Sequence, residues 1–457
     1  MTKPLPETPN NLARLIQGGT GRIRVVATRD YALPLDGFAQ ASSLGSNLAR
    51  FEGRSVILSV RDMAKAAAAL IDLDGCAGRI LLCPPGWEPS RLESAARDAD
   101  ADALVYDDAD AAPRIPVEFA APCRLPLQPL YSPRAASRET EWILPTSGTS
   151  GPPKLVAHTL RTLMGAITDA PLQQWATFYD IRRYGGLQIF LRALSGKGSL
   201  NLGGEGESVG SLLARFGAVG VTHISGTPSH WRRVLMTGEG CRIDPDYVRL
   251  SGEIADDTIL GGLRTMYPRA RIEHAYASTE AGVVFAVDDS KAGFPASWLD
   301  GDGAVQMKVV DSALRVRSER CALRFLGPDA RPLTDRDGFV DTGDIVERRG
   351  DRVYFVGRRG GVINVGGAKV HPEEVEAALN AQAAVRASRV FARKSPITGA
   401  LVFADVVLRD QRVAHAESER EILAACRARL PPHMAPAGLR FVADLPVTDG
   451  GKLVRHG

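Results

Sequence analysis

Residues 145–154 read Pro-Thr-Ser-Gly-Thr-Ser-Gly-Pro-Pro-Lys. Four hydroxyl side chains (Thr146, Ser147, Thr149, Ser150), two glycines (Gly148, Gly151) and Lys154 share this stretch, with no branched aliphatic side chain among them. Such a loop has nothing to bury. It offers hydroxyl donors, approachable backbone N–H groups and one cation, which is what a polyphosphate requires of a protein. A Ser/Thr/Gly/Pro cluster also reads as a plain linker. Its flanks argue against that: Trp142-Ile143-Leu144 predicts the end of a strand, and the apolar spacing of Leu155–Met164 predicts a helix. Strand, glycine-rich loop, helix is the usual order for a phosphate cradle. Leu155 follows the lysine where a Walker A loop carries Ser or Thr, so an ordinary P-loop NTPase is disfavoured.

Outward from this loop the chain alternates. Strands are predicted at Ser55–Val60, Ile80–Cys83 and Ala103–Tyr106, with helical stretches at Asp62–Leu70 and Ser90–Asp98 between them, and the alternation continues to about residue 285. That pattern predicts a mostly parallel sheet with helices on its faces. From Ala304 to Phe355 the texture changes to short strands (Val305–Val310, Leu314–Val316, Ala322–Phe325, Val353–Val356) split by Asp/Gly turns, a β-rich segment. Gly357-Arg358-Arg359-Gly360-Gly361 has few side chains to pack and reads as a hinge. Beyond it lie a strand pair around Gly366-Gly367, a helix opening at Pro372 with Glu373 and Glu374 in its first turn, a strand over Leu401–Leu408 and a helix over Glu417–Leu430. The expected architecture is a multidomain α/β protein. A large N-terminal α/β domain (1–357, layered sheets with a small β-rich part at about 304–356) is followed by a hinge (358–361) and a small, mobile α+β C-terminal domain (362–457).

The 457 residues exceed one ordinary core. At 44% hydrophobic and 24% charged the composition is that of a soluble globular protein. A net charge of +3 is too small to imply nucleic acid or an anionic membrane as partner. No apolar run approaches membrane-spanning length, and the N-terminus lacks the apolar core of a signal peptide. The six cysteines are scattered without a C-x-x-C pair, so neither a zinc site nor a disulfide framework is expected, and a cytoplasmic location follows.

Four further motifs lie downstream: His274-Ala275-Tyr276-Ala277-Ser278-Thr279-Glu280, Asp341-Thr342-Gly343-Asp344, Gly357-Arg358, and Leu445-Pro446-Val447-Thr448-Asp449-Gly450-Gly451-Lys452-Leu453-Val454-Arg455. Each alone is weak, since Tyr276 reads equally as a core tyrosine and Asp344 as a turn residue. Their order resembles the adenylate-forming superfamily, which holds acyl- and aryl-CoA synthetases, firefly luciferase and the adenylation domains of nonribosomal peptide synthetases. The resemblance runs from about residue 140 to the C-terminus.

The resemblance implies an AMP-forming carboxylic acid ligase. It activates an acid with Mg-ATP to an acyl-adenylate, releases pyrophosphate, and passes the acyl group to the thiol of CoA. It further implies roles for single residues. The loop from Thr146 to Lys154 wraps the β- and γ-phosphates, Tyr276 stacks on adenine, Thr279 bonds the α-phosphate, and Glu280 holds Mg²⁺. Asp344 accepts the ribose hydroxyls, Arg358 reaches ribose or phosphate, and Gly252-Glu253-Ile254 lines the adenine pocket with Ala277 and Ser278. Lys452 is the adenylation lysine, offsetting the repulsion between carboxylate and α-phosphate, about 4 kcal/mol at 4 Å and an effective dielectric of about 20. Gly366 and Gly367 let a pantetheine arm pass close to the backbone.

The chain departs from the family pattern in places. Gly360 stands where the hinge usually carries Asp or Lys, Pro-Pro-Lys-Leu replaces the common Pro-Lys-Gly, Ala277 replaces a frequent glycine, and a trimmed N-terminal domain is expected. The acid pocket falls at Trp175–Gln188, where Tyr179, Asp180 and Arg183 are candidates together with Gly226 on the opposite wall (His223–Pro228). Asp180 or its neighbours Arg182 and Arg183 read either as an exposed charged turn or as groups for a substrate amine or second carboxylate. Arg386, Arg389, Arg393 and Lys394 are candidates for CoA phosphates. Two alternatives stay open. One is a stand-alone adenylation enzyme loading an amino or aryl acid onto the phosphopantetheine of a separate acyl or peptidyl carrier protein. The other is a catalytically inactive nucleotide-binding relative.

Overall fold

The computed structural model describes residues 11–17, 23–107, 112–130, 134, 138–146, 154–165, 167, 172–299, 301–328, 330–395, 399–410 and 415–446. Two helices set the layering. Met63–Leu73 starts at Asp62, whose side chain accepts the Lys65 N–H, and Ala64 to Leu73 are all buried. A helix buried on every side has no solvent face, and its run of alanines lets flanking layers approach closely. It shares one core with the helix Tyr184–Ser195 and with residues from two different sheets, among them Val56, Leu58, Ile80 and Leu82 on one and Val26, Trp175 and Leu200 on the other. Both helices are therefore sandwiched between sheets.

The first sheet has seven strands among the described residues, in the order Arg324–Leu326, Leu155–His158, Glu141–Pro145, Arg79–Leu82, Ser55–Ser59, Ala103–Asp107 and Phe119–Cys123. Its outer face is covered by Pro89–Asp98. The second sheet has eight, in the order Gly282–Val287, Arg271–Ser278, Tyr247–Ser251, His223–Gly226, Gln174–Thr177, Ser199–Leu202, Val25–Ala27 and Ala32–Pro34. Its far face carries the helices Val209–Ala218, Pro228–Thr237 and Asp257–Met266 over Ala176, Ile224, Val248 and Leu250. The central strands of both sheets are parallel, as α/β crossovers require; antiparallel pairs lie at both edges of the second sheet and at one edge of the first, whose other edge strand, Phe119–Cys123, is parallel to its neighbour.

A five-stranded antiparallel sheet follows (Phe294–Pro295, Val305–Val310, Ala313–Ser318, Val340–Arg349, Arg352–Arg358), which is the β-rich segment the sequence predicts. Two elements differ from expectation. Leu155–Met164 is not one helix: Leu155–His158 is a fully buried strand paired with Glu141–Pro145, and the helix begins only after Thr159, whose capping box with Thr162 starts Leu160–Met164. The hydroxyl-rich loop therefore joins two antiparallel strands instead of a strand and a helix. Residues 322–325, expected in the β-rich sheet, instead supply an edge strand (Arg324–Leu326) to the seven-stranded sheet beside Leu155–His158.

Beyond Arg358 a single helical turn (Arg359–Gly361) leads into a separate core of Ile363, Val365, Val370, Val375, Leu379, Val390 and their neighbours. Gly366 and Gly367, with φ of 57° and 90°, form a two-residue turn between Ile363–Val365 and Ala368–Val370. Two consecutive positive φ values are the backbone of a type I′ hairpin, where side chains are strained. The helices Pro372–Asn380 and His415–Arg429 pack with the strands Val385–Ser395, Gly399–Leu408 and Gly438–Phe441.

Candidate active site

Parallel strands expose their C-terminal ends along one edge, the usual place for a ligand in an α/β sheet. Gly226, Ser251 and Ser278 end three neighbouring strands of the eight-stranded sheet there. Tyr276, two residues before that edge, donates its hydroxyl to Asp344 Oδ2 at 2.5 Å. Arg358 Nε lies 2.9 Å from Asp344 Oδ1 and its guanidinium also reaches the Thr342 carbonyl at 3.2 Å. Asp344 and Arg358 are register partners in the five-stranded sheet, which explains why residues fourteen apart in sequence meet. Burial, and then the Asp344 charge, push the Tyr276 phenol well above its ordinary range, so it stays protonated and donating. Its ring stacks on Phe355 at 4.5 Å and tilts against Phe285 at 5.5 Å. Three motifs far apart in the chain thus converge on one carboxylate.

The strand that leaves the hydroxyl-rich loop is tied to the same place. Thr146 N–H donates to the Lys154 carbonyl at 2.8 Å, closing the neck of the hairpin. Lys154 is exposed, its ammonium 5.9 Å from the Phe325 ring centre. Ser147, Gly148, Thr149, Ser150 and Gly151 lie outside the described residues, as does Lys452. Four residues after Lys154, the fully buried His158 holds the Thr279 carbonyl through Nε2 at 2.7 Å and meets Thr162 Oγ1 through Nδ1 at 2.8 Å. A carbonyl only accepts, so Nε2 carries the proton. Burial lowers the His158 pKa to about 4, which keeps the ring neutral. Sequence reasoning missed this histidine. Its signal is its place four residues beyond the loop lysine, in a run that is apolar otherwise. The Glu280 carbonyl accepts the Ala322 N–H at 2.9 Å and Ser278 Oγ the Ala281 N–H at 3.0 Å, so the Thr279-Glu280 turn is held on both sides. Among the described residues no group of three or more His, Cys, Asp or Glu side chains could hold a metal alone. A Mg²⁺ ion that keeps its waters and substrate phosphates needs one carboxylate, and Glu280 fits that demand.

The acid-pocket candidates divide. Tyr179 donates its hydroxyl to the Ser251 carbonyl at 2.8 Å, next to Gly252, and Glu253 Oε2 accepts the Ser229 N–H at the start of the helix Pro228–Thr237. Ile254 is 36% exposed. Gly226 faces a cluster of rings: a Cβ there would come within 2.7 Å of Phe178 Cδ2 and 3.3 Å of His230 Cβ. His230 stacks on Phe178 at 5.3 Å, and its pKa is lowered to about 4 by burial. Asp180 and Arg182 are not an exposed turn. Both are buried, Asp180 Oδ1 accepts Arg182 Nε at 2.7 Å, and Arg182 also donates to the Val60 and Arg61 carbonyls at 2.5 and 2.6 Å. Such a pair pins the loop to the neighbouring sheet. Arg183 is half-buried at the start of Tyr184–Ser195. His223 sits at the other end of its strand from Gly226, against Trp175, so the wall does not extend to it. Of the basic residues in the tail, Arg389 is buried against Asp405 at 2.5 Å, whereas Arg393 and Lys394 are exposed.

The family model described as AMP-binding enzyme matches residues 76–318, more than half of the chain, and that of the AMP-binding enzyme C-terminal domain matches residues 374–452. A 2-succinylbenzoate–CoA ligase of Bacillus velezensis is 25% identical over 85% of this chain and 79% of its own length. Acetyl-coenzyme A synthetase 2 of Debaryomyces hansenii is 31% identical over 27% of this chain, a match that spans 20% of that protein. An anthranilate–CoA ligase solved with anthranoyl-AMP superposes with a TM-score of 0.81 at 18% identity, covering 98% of this chain and 96% of that one, which establishes a shared fold. No helix among the described residues is long and apolar enough to cross a membrane.

Proposed function

We propose that this chain, which belongs to the AMP-binding enzyme family, is an acid–thiol ligase that works through an acyl-adenylate. In the first step a carboxylate oxygen of the acid attacks the α-phosphorus of ATP and pyrophosphate leaves. In the second a thiolate attacks the acyl carbon and AMP leaves. Supporting the reading is the convergence of Tyr276, Asp344 and Arg358 beside a Thr279-Glu280 turn that His158 ties to the strand following Lys154.

Each residue has a task in this reading. Asp344 exchanges its Tyr276 and Arg358 partners for ribose hydroxyls, and the aromatic wall behind Tyr276 leaves that ring to cover adenine. Lys154 and the Thr146–Gly151 hydroxyls and N–H groups stabilise the departing pyrophosphate. Glu280 would hold a Mg²⁺ ion, which supplies charge neutralisation on the phosphates. Gly226, Tyr179 and the Phe178–His230 stack bound the acid. Asp180 and Arg182 act as a brace and touch no substrate. The chain divides into residues 1–357, a hinge at 358–361 and a mobile unit at 362–457. Exposed ion pairs such as Arg233–Asp444 and Arg349–Glu374 join the two units, and contacts of this kind are worth at most about 1 kcal/mol each. They leave the small unit free to bring Lys452 to the carboxylate, then to turn and present the Gly366-Gly367 hairpin to the incoming thiol.

CoA is the proposed acceptor. A carrier-protein phosphopantetheine is the second reading, favoured by the engagement of Arg389 with Asp405, which removes one cation from the set available to CoA phosphates. A panel of carboxylic acids in a pyrophosphate-exchange assay, with and without CoA, tests the proposal. Exchange that depends on one acid, with AMP released only on adding CoA, is expected. Exchange without CoA turnover moves the acceptor to a carrier protein, and no exchange with any acid overturns the ligase reading.

A further inference from the structure

A cavity of ≈ 380 Å³ lies at the opposite end of the eight-stranded sheet from the candidate active site. Its walls include the residues that open three neighbouring parallel strands, His223, Tyr247 and Arg271. Tyr247 and Ser251 bound one strand, so the cavity and the acid pocket are separated by about 13 Å at about 3.3 Å per residue. The Arg249–Glu273 ion pair stands between them on adjacent strands. The cavity is therefore separate from the acid pocket and shares with the site already described the Phe285 ring that backs Tyr276.

Its lining is strongly cationic. Among the described residues, Arg192, Arg249, Arg271 and Arg320 face it, with Glu273 as the one carboxylate of the lining. Glu273 serves Arg249, the Tyr247 hydroxyl at 2.7 Å and Arg271 at 3.2 Å. Asp288 adds one more carboxylate at 2.9 Å from Arg271, on the outer side. Arg320 bonds the Gly165 and Val283 carbonyls at 3.1 and 3.2 Å, contacts that orient a guanidinium and leave its charge in place. Burial and the neighbouring Arg249 charge lower the Arg192 pKa to about 10, so it is still a cation at neutral pH. Cations held together at low dielectric repel one another, and an anion placed among them relieves that cost.

Much of the remaining wall is aromatic, its rings inclined at 34° to 76° to one another, beside Gln173, Val283 and Ala286. Trp175 and His223 lie 5.0 Å apart between ring centres, His223 and Tyr247 5.3 Å, and Trp175 and Tyr247 5.8 Å. Burial lowers the His223 pKa, so the imidazole presents a neutral face. The volume is that of an ordinary small-molecule pocket.

We propose that this cavity is a second ligand site, taking a small aromatic carboxylate whose anion meets the arginines and whose ring lies against Trp175, His223 and Tyr247. The inference stands apart from the ligase reading and needs no ATP. Benzoate is titrated into the full chain without nucleotide, followed by calorimetry and by tryptophan emission, with cyclohexanecarboxylate and inorganic phosphate as parallel probes. Saturable benzoate binding is expected, tighter than either comparison probe. The emission change should disappear in Trp175→Phe. Binding should weaken at least about tenfold in Arg271→Gln and in Arg320→Gln, since each loses a charge-assisted contact, while ATP binding stays unchanged. Arg271 is 62% exposed, so its variant folds even if that of Arg320 does not. Absence of saturable binding, binding unaffected by either substitution, or phosphate bound as tightly as benzoate would each overturn the proposal.

Discussion

Acid should weaken this fold in part through His158, and replacing that histidine should remove its share of the loss. The ordinary imidazole value is 6.5, and burial lowers it here to about 4. Between these values the unfolded chain binds a proton that the folded chain refuses. Stability is therefore fully present above about 6.5 and is lost as pH falls towards about 4. A gap of about 2.5 pH units, at 1.36 kcal/mol each, amounts to about 3 kcal/mol. Other groups share the window. His230, also lowered to about 4, adds a loss of similar size. Asp74 opposes both: burial raises it to about 7, so the folded chain keeps a proton there that the unfolded chain releases above its ordinary 3.8, and stability rises as pH falls through that range. A raw acid curve mixes these with other shifted groups such as His223 and His274, whereas the difference between wild type and His158→Gln isolates one. Glutamine can still donate an N–H to the Thr279 carbonyl and accept from Thr162, without titrating. All five tryptophans precede residue 300, so their emission in urea reports the layered N-terminal core. Between about pH 7.5 and about pH 4.5 the wild type should lose about 2–3 kcal/mol more than the variant. Parallel pH profiles for the two proteins would refute the reasoning.

Asp344→Asn removes the charge on which Tyr276 and Arg358 converge; ATP binding measured by calorimetry should weaken about 10- to 100-fold, the worth of a hydrogen bond to a charged group. Arg182→Met breaks a buried ion pair and strands Asp180, so the urea midpoint should drop by the equivalent of about 3–5 kcal/mol, with the KM for the acid nearly unchanged in whatever protein folds; a KM effect without destabilisation would return Arg182 to the substrate pocket. Gly226→Ala places a methyl group 2.7 Å from the Phe178 ring; kcat/KM for the bulkiest accepted acid should fall by at least about tenfold while the smallest is spared, about the worth of one or two methylenes in a pocket. Lys452→Ala should abolish acid-dependent pyrophosphate exchange and leave ATP affinity within about threefold of wild type, as expected of a group acting in the transition state.

Much of the layered α/β architecture was legible from local pattern because parallel strands buried on both faces leave continuous apolar runs such as Ser55–Ser59 and Arg79–Leu82. The convergence of Tyr276, Asp344 and Arg358 was legible only as an order of motifs, since a register pairing such as Asp344 with Arg358 has no local signature. Leu155–His158 misled for a physical reason. Four apolar or buried residues followed by a helix keep helical spacing, and only the Thr159 capping box marks where the strand stops. Residues 322–325 have ordinary strand composition, which says nothing of the sheet they join. The Asp180–Arg182 charges read as an exposed turn or as substrate groups, and not as a brace, because the Val60 and Arg61 carbonyls that Arg182 holds lie more than a hundred residues away.

The central claim is that a carboxylate oxygen of the acid attacks the α-phosphorus of ATP. The most direct measurement uses an acid that supports exchange, labelled with ¹⁸O in its carboxylate, with mass spectrometry of the nucleotide product after a full turnover with thiol. One ¹⁸O atom in the phosphate of AMP is predicted, because the bridging oxygen stays with phosphorus when the thiolate displaces it. Unlabelled AMP, or ADP in its place, would contradict the account.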